Sequence, residues 1–511
     1  MSRPTAIYSA AQVRALDAYE IEKRRVPGFT LMTRAAEAAL KTLLGRWPQA
    51  KRLAVVCGPG NNGGDGYVLA RLAQSAGLDV LVLAATPPDR LTGDAHRAQE
   101  EWIAAGGRSH PFAGEALSGC DVIVDGLLGS GLAGPLRAET AAVIHAINAA
   151  RRPVLALDIP SGVDADTGAV RDVAVRARVT LSFVAFKSGL FLGAGPEHTG
   201  ELLLDDLGIV PPALPQFAPL MRRIEPGELA AALPRRPRDS HKGTSGRVLV
   251  IGGGAGMPGA LRLAAEAALR SGAGLVTAAG HADNLVAVTG ARPEIIYLPV
   301  DYLAADAGAA AAGDALDEAI RSADVLAIGP GLGRTEWSRK LWARALRAND
   351  VPAVVDADAL NLLALDPVKL RADWILTPHP GEAARLLSTD TSTIQADRPG
   401  AARELHSKYG AIAVLKGAGT LVAAGARGEI ELSLCDLGNP GMATAGMGDV
   451  LTGVIAGLRA QFADSILAAR MGVLVHALAG DSAAQSIDGG GGQRGLVASD
   501  VVAELRRWVN P

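Results

Sequence analysis

Short apolar runs that end in glycine or an acidic residue, each leading into a helix-period stretch, recur along this chain in two series. The first is RLAVVCGPG (52–60), DVLVLAAT (79–86), DVIVDGLLGSG (121–131), PVLALDIPSG (153–162) and VTLSFVAF (179–186), with patterns such as GYVLARLAQSAG (66–77) between them. The second is GRVLVIGGG (246–254), AGLVTAAG (273–280), DVLAIGPGLG (324–333), PAVVDADAL (352–360), WILTPHPGE (374–382) and AIAVLKGAGT (411–420), closed by the helical MGDVLTGVIAGLRAQ (447–461). A strand that is apolar on both faces must be covered on both, so this alternation predicts doubly wound, mostly parallel sheets. The stretch 211–240, PPALPQFAPLMRRIEPGELAAALPRRPRDS, is dominated by proline and arginine, shows no β pattern and reads as a linker. The expectation is an α/β chain with domains over 1–215 and 225–511.

Composition narrows the function classes. A formal net charge of -3 with no long run of one sign gives no footprint for nucleic acid. No uninterrupted apolar stretch reaches the ~18–20 residues of a membrane helix, so no membrane partner is expected. The N-terminal SAAQVRALDAYEIEK lacks a signal-peptide pattern, and Ser9 with Gln12 has capping-box spacing for a helix. Cys57, Cys120 and Cys435 are far apart and form no CxxC, which argues against a disulfide framework or a zinc site. The expected location is cytoplasmic.

In GPGNNGGDG (58–66), Gly58, Gly60 and Gly63 satisfy GxGxxG between a strand and a helix. A dinucleotide fold of the dehydrogenase type also wants an acidic residue at the end of the next strand, to hold the ribose. That strand ends in Ala84, Ala85 and Thr86, so a standard NAD site is rejected. The loop instead carries Asn61, Asn62 and Asp65, and later strand ends add Asp125, Asp158 and Ser161. Each alone reads as a turn residue. Together on successive strand ends they form a hard-oxygen set suited to a group I or II cation.

The second series contains NPGMATAGMGD (439–449). Amides of Ala445 to Gly448 at a helix N-terminus would cradle the oxygens of a transferring phosphoryl group, and glycine allows close approach. Asp449 follows at once and can accept a proton from a substrate hydroxyl. Lys416 ends an apolar strand before GAGT, which suits nucleotide phosphate. His379 reads equally as a capping residue, and Gly331 as a turn. There is no GxxxxGK[ST] loop.

GPGNNGGDGYVLARLA, VDGLLGSGLAGPLR (124–137) and ALDIPSGVDADTG (156–168), with RALDAYEIEKRRVPGFTLMTRAA (14–36) upstream, resemble the NAD(P)H-hydrate epimerase domain; Thr33 stands where that family often has Glu. HKGTSGRVLVIGGGAGMPGALRLAAEAALRSGAGLV (241–276), IGPGLG, VVDADALN (354–361), TPHPGEAARLL (377–387), VLKGAGT and NPGMATAGMGDVLTG resemble the NAD(P)H-hydrate dehydratases of the ribokinase-like superfamily. The order resembles the bifunctional NAD(P)H-hydrate repair family.

The resemblance implies a Rossmann-like three-layer αβα domain followed by a ribokinase-like αβα domain. It implies epimerisation of (R)- and (S)-NADH and NADPH hydrates at C6, and dehydration of the S form with ADP, giving AMP and phosphate. Carried over residue by residue, Asp158 and Asp449 are the catalytic carboxylates. Asn62, Asp125 and Ser161 would hold K+. Asn61, Asn62, Gly63, Gly64, Asp65, Gly129, Ser130, Gly131, Leu132, Ala133, Gly134, Pro135 and Asp158 would hold the hydrate in the first domain. In the second, Ala260, Gly331, His379 and Asp449 would face the hydrate, and Lys416, Gly417, Ala418, Gly419, Thr420 and Gly448 the nucleotide, with Mg2+. A homo-oligomer is also expected. Two other readings remain at this stage. One is a small-molecule kinase of the same superfamily with a nucleotide-binding regulatory domain. The other is an N-terminal half that binds without turnover.

Overall fold

The computed structural model describes the chain apart from residues 1–4, 132–133, 291, 301–306, 349, 427–428 and 486–491. Two compact units divide it, Met1–Arg222 and Arg223–Pro511.

The first unit contains β1 (Ala6–Tyr8), β2 (Arg52–Cys57), β3 (Asp79–Ala84), β4 (Ser109–Pro111), β5 (Val122–Gly126), β6 (Val154–Leu157), β7 (Val179–Phe183), β8 (Phe186–Lys187), β9 (Glu201–Asp205) and the first two residues of β10 (Met221–Arg223), whose last residue opens the second. Seven strands run parallel in the order β4-β3-β2-β5-β6-β7-β9. From β2 the chain winds outward through β3 and β4, then returns to the other side of β2 with β5. The loops after β2 and β5 therefore diverge at the switch point, where open sheets of this kind bind ligands. The central strands are buried on both faces, as the continuous Val, Leu and Ile runs require. Helix Ala10–Glu22 starts with the capping box read from Ser9 and Gln12. Within 211–240 the structure departs from a plain linker. Met221 and Arg222 pair antiparallel with Ile7 and Ala6, and Met221 is buried. A three-residue strand takes its identity from its partner rather than from its own periodicity, so no pattern announced it.

The second unit contains β11 (Arg247–Ile251), β12 (Leu275–Gly280), β13 (Ile296–Pro299), β14 (Val325–Ile328), β15 (Ala353–Val355), β16 (Ile375–Leu376), β17 (Ile412–Leu415), β18 (Thr420–Ala426) and β19 (Glu429–Cys435). Their order is β13-β12-β11-β14-β15-β16-β17-β18-β19, parallel as far as β17 and antiparallel from there. The winding reverses between β11 and β14. Helices Pro258–Arg270, Met447–Arg459 and Ser465–Gln485 supply much of the apolar core. The last of these is long and apolar enough to cross a membrane by length and composition, but most of it is buried in this core. All three cysteines are free and buried.

Candidate active sites

In the first unit the strand-end loops meet around one cleft of about 1500 Å³. Gly58 and Gly63 let two loops touch: a Cβ on Gly58 would lie 1.7 Å from the Leu127 carbonyl oxygen, and one on Gly63 2.0 Å from the Gly58 carbonyl oxygen. This close approach brings Asn62, at the start of helix Asn61–Ser75, against the loop after β5. Its Nδ2 donates to the Leu128 carbonyl at 3.0 Å, while its buried Oδ1 has no partner. Beside it Asp125 is fully buried and accepts from the Ser161 hydroxyl at 2.6 Å, the Ser161 amide at 2.9 Å and the Leu127 amide at 3.2 Å. Burial pushes the Asp125 carboxyl up to about 6, against the pull of these hydrogen bonds. Asn62, Asp125 and Ser161 thus form one cluster.

Asp158 ends β6 with φ 66°, a left-handed conformation that costs a non-glycine residue of order 1 kcal/mol or more. Its Oδ2 accepts from the Ser130 amide at 3.3 Å, and its Oδ1 is ion-paired to the buried Lys187. Asn61, Asn62, Asp65, Gly129, Ser130, Gly131, Pro135 and Asp158 all line the cleft. Gly63 and Gly64 pack behind them, with Gly64 against Met32, and Gly134 turns at φ 75°. Leu132 and Ala133 lie outside the described residues. Three further cleft residues were not singled out from the sequence: Arg14, Asp17 and Lys187. Burial raises Asp17 to about 6 and Asp65 well above the carboxylate range.

In the second unit Gly446, at φ 87°, caps helix Met447–Arg459 and turns the chain into it, placing Asp449 in the first turn. Lys416 leaves β17 and reaches across to Asp356 at the end of β15, Nζ to Oδ1 2.8 Å. The other Asp356 oxygen accepts from the Thr452 hydroxyl at 2.8 Å. Gly448 sits over this pair, where a Cβ would lie 3.1 Å from the ammonium. Asp356 is held below the carboxylate range by Lys416 and its hydrogen bonds, although burial acts the other way. Asp449 has no such partner, and burial, with the Asp356 charge, pushes it up to about 7.

Ala260 and Gly331 are neighbours across the switch point; a Cβ on Gly331 would lie 3.2 Å from that of Ala260. His379 caps helix Pro380–Leu387, accepting from the Gly381 amide at 3.0 Å. Glu382 completes that cap with Oε2 on the His379 amide and stands 3.8 Å from Lys416. Lys416 to Thr420 form the β17–β18 turn, with Gly417 at φ 140° and Gly419 at φ 70°. Buried Arg398 braces this turn from beneath through the Lys416 and Gly419 carbonyls. Sequence reading missed Asp356, Glu382, Thr452 and Arg398. An acidic residue ending the apolar PAVV was the one available signal.

Among the described residues no three His, Cys, Asp or Glu side chains gather as a metal site.

Two open α/β sheets, with Asp158 on the loop after β6 in one unit and Asp449 in the first turn of helix Met447–Arg459 in the other, define a Rossmann-like unit followed by a ribokinase-like one. The family described as YjeF-related protein N-terminus matches residues 28–189, and NAD(P)H-hydrate dehydratase matches 248–490. The bifunctional NAD(P)H-hydrate repair enzyme of Coxiella burnetii is 46% identical over 99% of this chain and 100% of its own. That of Escherichia coli K12 is 40% identical over 100% of this chain and 95% of its own. A ribokinase-like superfamily protein of Enterococcus faecalis V583 has a TM-score of 0.50 at 28% identity, covering 57% of this chain and 96% of its own. The chain belongs to the bifunctional NAD(P)H-hydrate repair enzyme family.

Proposed function

We propose that the two units return damaged nicotinamide cofactors to use: the first interconverts the C6 epimers of NADH and NADPH hydrates, and the second dehydrates the S form with ADP. The observation that carries this is a separate carboxylate in each unit, Asp158 at a strand end and Asp449 at a helix start, with similarity to bifunctional repair enzymes along the whole chain.

In the hydrate, water has added across C5–C6, so a hydroxyl stands on C6 next to the ring nitrogen. Asp449 takes its proton as the oxygen attacks the terminal phosphorus of ADP, and the bond to AMP breaks. The amides of Ala445 to Gly448 face the moving charge, and Lys416 with the 417–420 turn faces the nucleotide. The nitrogen lone pair then expels phosphate from C6, and loss of a C5 proton restores the dihydropyridine. A base whose carboxyl sits near 7 suits proton abstraction at neutral pH. Ala260, Gly331 and His379 border the hydrate. Magnesium would be carried by the nucleotide phosphates and water, since among the described residues no three His, Cys, Asp or Glu side chains gather to hold it.

In the first unit, Asp158 exchanges a proton with the C6 hydroxyl. Loops 61–65 and 129–135 hold the hydrate. The unpartnered Asn62 Oδ1, the Asp125 carboxylate and the Ser161 hydroxyl fit a potassium ion. Bound there, the ion would supply fixed positive charge next to the loop after β5.

The test is the NADH absorbance band after mixing the chain with epimeric NADH hydrate, magnesium, potassium and ADP, then ATP. Full recovery with ADP is expected. Recovery stopping at one epimer would remove the epimerase reading. No recovery with either nucleotide would leave a kinase that releases a stable phosphoester.

A further inference from the structure

Lys187 is fully buried, and its ammonium has three acceptors: Asp158 Oδ1, the Ser182 hydroxyl at 3.1 Å and the Phe183 carbonyl at 2.8 Å. All three of its protons are therefore placed, and it has none to give to substrate. A buried ammonium with no anion would be very costly, so the ion pair with Asp158 is what keeps both charges in the fold. The pair uses Oδ1, while Oδ2 accepts from the amide of Ser130, which like Asp158 lines the cleft. Two other carboxyls of the cleft, Asp65 and Asp17, have no such ion pair. Burial and the Asp158 charge push Asp65 up, and burial raises Asp17.

We propose that Lys187 is a positioning residue that fixes Asp158 as an anionic base with Oδ2 toward the C6 hydroxyl, so that the epimers interconvert by ring opening rather than by loss of hydroxide. This rests on the epimerase reading. Expelling hydroxide would need an acid at that oxygen; ion-paired Asp158 has no proton to supply, so that route would have to draw on Asp17 or Asp65 instead. A base can instead take the hydroxyl proton onto Oδ2. The C6–N1 bond then breaks, its electron pair goes to N1, and C6 becomes an aldehyde. N1 is conjugated through C2=C3 to the ring carboxamide, which delocalises the charge. After rotation N1 adds to the other face of the aldehyde, and Oδ2 returns the proton to oxygen. Nothing is consumed.

The full chain without nucleotide, given one enriched epimer of NADH hydrate and potassium in H2(18)O, is followed by NMR at C6 and by mass spectrometry. The expected result is inversion with the original oxygen retained in most product; one label per inversion would overturn the proposal. Lys187→Met should lower kcat about a hundredfold with KM within about twofold, and Lys187→Arg, which keeps the charge, should regain most of it. If the Met variant does not fold, Ser182→Ala decides: it removes one acceptor of the ammonium and should lower kcat about fivefold at unchanged KM. Wild-type kcat in a folded Met variant, or in Ser182→Ala, overturns it. A wild-type chain that does not invert the hydrate would refute the epimerase reading instead.

Discussion

Replacing Asp449 by Asn should stabilise the second unit while removing its activity. The carboxyl is raised from the usual 3.8 to about 7, first by burial and then by the Asp356 charge. The folded state therefore holds a proton that the unfolded chain has lost over that interval. Stability falls as pH rises from about 4 to about 7 and is flat above, because ionising Asp449 in the fold costs free energy that the unfolded chain does not meet. At ~1.4 kcal/mol per unit the ceiling is about 4 kcal/mol. That shift already includes the attraction of Lys416, and partial solvent access reduces the ceiling to about 2 kcal/mol. Asn keeps the shape and carries no charge, so that amount returns at pH 8, worth about 4–8 °C for a unit of this size. Calorimetry without nucleotide, on wild type and Asp449→Asn from about pH 5 to 8, reads it. The relevant transition is the one that added ADP moves. The variant should unfold progressively later than wild type as pH rises, with no dehydration of hydrate. A difference constant across pH, or an earlier transition in the variant at pH 8, would refute the reasoning.

Other outcomes follow from the same geometry. Asp158→Asn should abolish epimerisation and leave dehydration of the S epimer unchanged, read from the NADH band; loss of both in a folded chain would contradict two separate sites. Gly448→Ala should press a methyl group onto the ammonium pinned by Asp356 and lower dehydration kcat about tenfold, with Tm nearly constant. Gly58→Ala should cost the first unit about 3 kcal/mol or more, because its Cβ would overlap the Leu127 carbonyl, and thermal unfolding with an epimerase assay checks it.

Much of the fold was legible in the sequence because strands buried on both faces must be continuously apolar, and their ends must be glycine or turn residues. The candidate loops were legible for the same reason: in open sheets they are the strand ends. What could not be read were partners far apart in sequence. Lys187 meets Asp158 across 29 residues and Lys416 meets Asp356 across 60. In sequence each is only a charge after an apolar run. Arg398 looks like a solvated residue at a helix start, and its burial under the 416–419 turn is visible only once β17 and β18 pair. Strand β10 was hidden for the opposite reason: it is short, and its neighbours are prolines and arginines.

The pairing of Ala6 and Ile7 with Arg222 and Met221 also sets an order of events during synthesis. The residues of β1 leave the ribosome long before those of β10, and that edge cannot close until both are out. Until then β1 is an open edge on a nascent chain, the kind of surface to which strand-capturing chaperones and aggregating neighbours bind. A pause in translation shortly before Met221 would prolong that exposure, and one placed well after Arg223 would shorten its consequences.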